Sequence, residues 1–460
     1  MLALVPVMGG VALLIAYALA IASGSEHVSA FGVVVVASIL VAMVAMSVTS
    51  KEDKKWLPTM IMAGFTAKIV ASTVRWWVLV DLYDGSGDAP GYHKLGTEYV
   101  HLWRSFELPP MELGTEAMEG LVGLVYVPYV PNFLGGFYMF ATLAFIGQIF
   151  CYMAFRNSTV PRRLKLYAAA VFFVPTVVYW PSSIGKESVV MFGLGFAAYG
   201  ISKVLKSGAM GSLFTAGFGL VIIGLIRPHM AAMVAAAAVF ALAFCKGTGI
   251  ALMRSQRATL LVVSVIGLAG VTVVAAANLN LSLDSDLEGQ ISTLVESVEG
   301  QTDTGGSSVE GAFISSPLEL PEVTLRVLFR PLPYEADNIA MLASSVEGTL
   351  MLALVLWRLI PMVKRGFRAR PDPYMLFCMM YTFLFIIAFS SFLNLGLMAR
   401  ERSQVMPFFL AMIVALGFRT PDEPEEEVAD QGTDMDMDTG ELLPYPSAPV
   451  LAGRGSSPGR

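Results

Sequence analysis

NFLGGFYMFATLAFIGQIFCYMAF, residues 132–155, carries no charged side chain until Arg156 closes it. At about 1.5 Å of rise per residue, a helix of this length crosses roughly 30 Å of hydrocarbon. Within lipid a helix is favoured because it satisfies its own backbone hydrogen bonds. Comparable apolar runs recur along the chain, near 2–22, 30–48, 57–81, 166–182, 188–205, 211–226, 230–245, 258–278, 339–362, 373–393 and 403–419. The sequence thus predicts an all-α, polytopic integral membrane protein with about twelve transmembrane helices. The shorter apolar piece 118–131, broken by Pro128 and Pro131, reads as re-entrant or interfacial.

Composition agrees. Only 14% of the 460 residues are charged and 55% are hydrophobic, with a mean hydropathy of +0.66, whereas soluble proteins hold roughly 25% charged residues. The formal net charge of −6 comes largely from the acidic stretch after Thr420. The basic residues are dispersed and do not alternate with aromatics, so nothing points to nucleic acid. Cys151, Cys245 and Cys378 are too far apart for a disulfide framework or a thiolate metal cluster and read as small buried hydrophobes. Ala18-Leu19-Ala20 suggests a signal peptide at first sight. No Lys or Arg precedes it, and a retained first helix is the expectation.

Charge sets the expected orientation. Lys51, Lys54 and Lys55; Arg156, Arg162, Arg163 and Lys165; Lys203 and Lys206; Lys246, Arg254 and Arg257; and Lys364, Arg365, Arg368 and Arg370 fall in alternate loops. The positive-inside rule makes that side cytoplasmic, and with it both termini. The opposite face receives two long loops, 82–117 and 279–338. The second is expected to be mobile around Asp303–Ser308 and docked from Pro317 onward. Residues 1–420 form the membrane domain, and 421–460 a disordered acidic cytoplasmic tail.

Against that frame, Lys186, Arg227, Arg330, Arg400 and Arg402 stand on the wrong side. Cations at helix mouths are costly and usually face a cavity or a partner. Asp84-Gly-Ser-Gly-Asp88-Ala-Pro-Gly-Tyr92-His93 follows the helix that carries Lys68 and Arg75. Its glycines allow a tight fold that sets Asp88 and His93 near the exit of that helix. Asp88 suits a general base, with His93 beside it, and a divalent cation near Asp88 is left open. An ordinary Asp/Gly turn is the plain alternative.

Trp180-Pro-Ser-Ser-Ile-Gly-Lys186-Glu187-Ser188 opens a helix whose free N–H groups favour an anion. It lacks the upstream glycine of a P-loop, and a Lys–Glu helix cap accounts for it equally. Arg227-Pro-His229 offers a planar fork for phosphate oxygens and an imidazole as proton donor, or else a snorkelling arginine. Asn394-Leu-Gly-Leu-Met-Ala-Arg400-Glu401-Arg402 places two arginines two residues apart. They share a side in an extended turn and diverge in a helix. Arg330-Pro-Leu-Pro-Tyr-Glu335 completes the set. Glu187, Glu335 and Glu401 are read as supporting acids.

Together these motifs resemble bacterial envelope-polysaccharide membrane proteins, notably Wzy-type repeat-unit polymerases and the wider GT-C-like glycosyltransferase assemblage. The resemblance covers residues 57–420. It implies an inner-membrane glycosyltransferase without a cofactor, acting on polyprenyl-linked sugar donor and acceptor amid membrane lipid and other polysaccharide-assembly proteins. Arg227, Arg400 and Arg402 would then hold the phosphates, with Arg75, Lys186 and Arg330 nearby, and Asp88, His93 and His229 would do the proton chemistry. The chain departs from the polymerase pattern in its acidic late loop. A GT-C transferase using a polyprenyl-phosphate monosaccharide therefore stays open, as does a lipid-oligosaccharide flippase without chemistry.

Overall fold

In the computed structural model the structure describes residues 26–51, 53–158, 163–244, 317–336, 339–368, 372–390 and 394–418. All belong to the unit that ends at Thr420. The expected spans 2–22 and 258–278, Cys245, most of the loop 279–338 and the acidic tail lie outside the described residues. Among those described, 83% are helical and no strand forms, so the all-α reading stands.

The helices are α1 Glu26–Val48, α2 Leu57–Trp77, α3 Asp88–Arg104, α4 Thr115–Tyr126, α5 Phe133–Asn157, α6 Leu164–Phe173, α7 Pro175–Tyr179, α8 Lys186–Ser207, α9 Ser212–Ile226, α10 Pro228–Phe244, α11 Leu320–Phe329, α12 Ile339–Arg368, α13 Pro373–Ala388, α14 Leu395–Glu401 and α15 Met406–Gly417. Among the described residues, five segments are long and apolar enough to cross a membrane: Ser29–Val48, Leu57–Leu82, Phe133–Asn157, Lys186–Ser207 and Met341–Gly366. The other apolar helices are shorter: Leu164–Phe173, Ser212–Ile226, Pro228–Phe244, Pro373–Ala388 and Met406–Gly417.

Two expectations about local form change. The stretch expected as one span at 166–182 breaks at Val174, where backbone φ −62° and ψ 124° leave the helical region. Pro175 causes this, because its ring excludes the helical conformation for the preceding residue. The expected loop 82–117 is mostly helix: α3 and α4 pack as a hairpin, and α4 takes up most of the 118–131 piece.

The short helix α7 beyond the break is held at both ends by polar side chains from neighbouring helices. Lys68 Nζ and Gln148 Nε2 both donate to Val177 O, at 2.9 and 2.7 Å. Arg75 Nη1 donates to Tyr179 O at 3.1 Å. At the other end, Thr176 N donates to a Glu347 carboxylate oxygen at 2.7 Å. Interrupted helices persist at membrane depth only where neighbours satisfy the freed backbone groups, as here. A cation at a helix C-terminus also meets the negative end of the dipole. Lys68, 0% exposed, is therefore an internal cap.

The core stacks α5, α8 and α9 through glycines. A Cβ on Gly147 would lie 2.2 Å from Met191 O, and one on Gly195 2.1 Å from Gly147 O. On the other face of α8, a Cβ on Gly219 would lie 2.4 Å from Ala197 N. Without a strong hydrophobic drive between helices in lipid, such close backbone approach carries the packing. Gly195→Ala should therefore cost about 1–3 kcal/mol, the usual scale of overpacking, read as a lower melting temperature in detergent. Wild-type melting would show that α5 and α8 are not held this closely. Cys151 and Cys378 are buried, Cys151 within α5 and Cys378 within α13.

Candidate functional site

α2 continues as a wider turn, Val78–Leu82, and then the chain doubles back through Asp84, Gly85 and Gly87, at φ +47°, +70° and +148°. These conformations are natural for glycine and tolerable for aspartate. The reversal brings Asp88, the first residue of α3, back over the end of α2. Between them lies a cleft of about 280 Å³, lined among others by Arg75, Tyr83, Asp88, Phe137, Tyr179, Trp180 and Arg400.

Arg75 enters from α2. Its guanidinium carbon sits 5.6 Å from the Tyr179 ring centre and 5.2 Å from that of Trp180. This geometry suits cation–π attraction. Among the described residues no carboxylate lies within ion-pair distance of Arg75. It offers the cleft a cation that no acid neutralises directly.

Behind the cleft runs a chain of alternating charges. Arg400 Nη1 and Nη2 lie 3.3 and 3.2 Å from Asp88 Oδ2, and Arg400 Nε lies 2.8 Å from Glu187 Oε1. The same Glu187 oxygen accepts from Arg227 Nη2 at 2.9 Å. Arg227 Nη1 pairs with Glu401 Oε2, which also accepts from Gln404 Nε2 at 2.6 Å. Glu187 is 0% exposed, and its Oε2 has no hydrogen-bond partner among the described residues. Burial opposes the charge on Arg400, but Glu187 and Asp88 outweigh it and keep the guanidinium protonated above its usual range. The Tyr92 phenol, on α3, is pushed up to about 12 by burial and by Asp88, so it stays neutral. Lys186 Nζ donates to Thr115 Oγ1 at 3.1 Å, tying α8 to α4. Arg75, Lys186, Arg227 and Arg400 set against Asp88, Glu187 and Glu401 leave a single net positive charge.

The remaining candidates stand elsewhere. His93 lies well over a helical turn beyond Asp88 and points to α4, where Nδ1 is 2.8 Å from Tyr126 Oη. His229 is exposed and lies 6.4 Å, ring to ring, from Phe389. Neither histidine lines the cleft. Arg330 pairs with Glu335, whose other oxygen accepts from Leu332 N at 2.8 Å. Burial raises the Glu335 carboxyl, but these hydrogen bonds prevail and hold it below the usual range. That closed turn belongs to a second cluster with Arg402, which is 0% exposed. Arg402 Nη1 donates to Leu328 O at 3.0 Å and Arg330 O at 3.1 Å.

Arg400 and Arg402 thus diverge. α14 runs to Glu401, and two residues of helix turn a side chain by about 200°. Convergence of Arg227, Arg400 and Arg402 on one phosphate is not the arrangement present: Arg227 and Arg400 share Glu187, while Arg402 faces another cluster. The sequence reading also passed over the aromatic walls Phe137, Tyr179 and Trp180. Trp180 immediately before Pro181, in the turn before α8, was the available signal.

No protein-family model, curated protein or solved structure matches the chain, so its chemistry is read from this cleft.

Proposed function

We propose that the chain is a membrane glycosyltransferase, most simply a polymerase of lipid-linked oligosaccharide units in a bacterial envelope. The observation that carries this reading is the cleft: Arg75, a cation with no counter-ion in direct contact among the described residues, shares it with a half-exposed carboxylate, Asp88, and aromatic walls. Such a site suits an amphipathic ligand with a phosphate at one end and a sugar beside it. Aromatic faces take the sugar's apolar side, and Arg75 takes the negative charge.

In this reading an acceptor sugar hydroxyl attacks the anomeric carbon of a polyprenyl-linked donor. The bond from that carbon to the phosphate oxygen breaks, and the hydroxyl proton passes to Asp88. Charge developing on the departing phosphate or pyrophosphate is stabilised by Arg75, a preorganised donor. Asp88 is paired with Arg400 rather than grouped with other acids, so the proposed chemistry uses the carboxylate itself. The accompanying topology is about twelve spans in the inner membrane, both termini cytoplasmic, and the cleft at the extracytoplasmic face.

Asp88→Asn is expected to reduce formation of polymer or glycolipid about a hundred-fold or more, the ordinary scale of a lost general base. The protein should remain in the membrane at wild-type amounts. Asp84→Asn, outside the cleft, should stay near wild type. Equal tolerance of both changes in a radiolabelled-product assay would remove Asp88 from the chemistry.

A transport reading finds support in one feature. The interrupted helix α6–α7, capped by the fully buried Lys68, is of the kind that frames substrate paths in transporters. Movement of a labelled lipid-linked sugar across reconstituted vesicles, with no new glycosidic bond and no effect of Asp88→Asn, would select it.

A further inference from the structure

One ion pair crosses the mouth of the cleft, and the acids around Arg400 hold it unequally. Glu187 is 0% exposed and shared with Arg227, so releasing it would strand charges away from water. Asp88 has a side chain 55% exposed and sits at the longer distances of 3.2 and 3.3 Å. Partly exposed pairs of this kind are held weakly. A dianionic group entering between Arg75 and Arg400 therefore meets one displaceable competitor and one fixed one.

We infer that a phosphate-bearing ligand displaces Asp88 from Arg400, so that occupancy of the cleft is what sets the Asp88 carboxylate free. This rests on the reading of Asp88 as the proton acceptor given above. The exchange keeps charge balanced around Arg400: one carboxylate oxygen leaves as a phosphate oxygen arrives. Arg75 faces the rest of the ligand's negative charge, and Glu187 stays in place, holding Arg400 and Arg227 in register. Asp88 Oδ2, engaged by both Arg400 terminal nitrogens, becomes available to a hydroxyl once the ligand is bound. Release also undoes a tie between positions 88 and 400, the starts and ends of elements far apart in the chain.

The idea has a signature that a simple base or a simple structural residue would not give. Removing the Asp88 charge removes the competitor, so affinity for an anion should rise while turnover falls. The test uses the full-length chain purified in an uncharged detergent, with dodecyl phosphate and inorganic phosphate as probes, by calorimetry. Asp88→Asn should bind dodecyl phosphate about ten-fold more tightly than wild type, the scale of one like charge removed a few ångströms away at a partly solvated site. Arg75→Gln should bind it about ten-fold more weakly. Equal tightening for inorganic phosphate identifies the headgroup as the ligand, and tightening confined to dodecyl phosphate identifies a lipid-borne one. Asp88→Ser, which removes the charge and suits a helix start, repeats the measurement if the Asn variant folds poorly.

Unchanged or weaker binding in both Asp88 variants would overturn the displacement. The two readings fail differently. Tighter binding with normal product would leave the displacement standing and end the role of Asp88 in glycosyl transfer. Lost product with unchanged binding would do the reverse.

Discussion

Glu187→Gln is expected to lower the stability of the folded chain by about 3 kcal/mol. Removing one partner from a buried ion pair typically costs about 3–5 kcal/mol, because a charge is left without compensation. Here the lower end applies, since Arg227 keeps Glu401 and Arg400 keeps Asp88. The change is isosteric, so the loss reports charge rather than volume. Thermal unfolding in detergent should show it as a clear drop in melting temperature. The double variant Glu187→Gln with Arg227→Gln should recover part of the loss, because it removes a stranded cation together with its partner. If the single variant melts with wild type, the alternating chain does not hold the helix mouths together, and Arg227 and Arg400 are free for another use.

Arg402→Gln should have an effect of similar size and a different meaning. Arg402 spends its visible hydrogen bonds on two backbone carbonyls, Leu328 O and Arg330 O. Hydrogen bonds from charged groups are worth roughly 1.5–3 kcal/mol each. The shorter, neutral glutamine loses most of that, and about 3 kcal/mol of stability should go with it. The folded fraction that remains should bind dodecyl phosphate as wild type does. Arg400→Gln, by contrast, should weaken that binding. Weak binding by folded Arg402→Gln would mean that Arg402 reaches the ligand after all, as the sequence pattern of two arginines first suggests.

Those neighbours in sequence mark the boundary of what was legible without coordinates. Apolar runs such as 132–155 announce membrane helices because length and hydropathy act residue by residue. The mouth cations stand out for the same local reason: a charge beside an apolar run is costly wherever the chain goes. What a sequence does not show is which counter-charge each one finds. Glu187 reads in the sequence as a supporting acid next to Lys186, yet its charge partners are Arg227 and Arg400, brought there by three separate helix ends. Arg402 parts from Arg400 because α14 ends at Glu401 and the chain tightens into a 3-10 turn at Arg402–Gln404, and whether that stretch is helical or extended is open in the sequence. The interruption at Pro175 was written in the chain, since proline constrains its predecessor. The run 166–182 is so apolar that hydropathy masked it. The sequence sets His93 near the exit of α2, but a helix starting at Asp88 turns it toward Tyr126.

The glycine contacts between α5 and α8 restrict how this protein can move. Where backbone lies against backbone, sliding one helix along the other would drive a neighbouring side chain into a carbonyl, as a key blocks a shaft from turning in its hub. Shear across that interface is thereby excluded, and separation or tilting about it remains. Lys186 and Glu187 begin the α8 side of that joint, so they keep their station relative to α5. Any widening of the cleft is then a swing of its far wall, at Asp88, away from Arg400, which Glu187 holds to the fixed jamb.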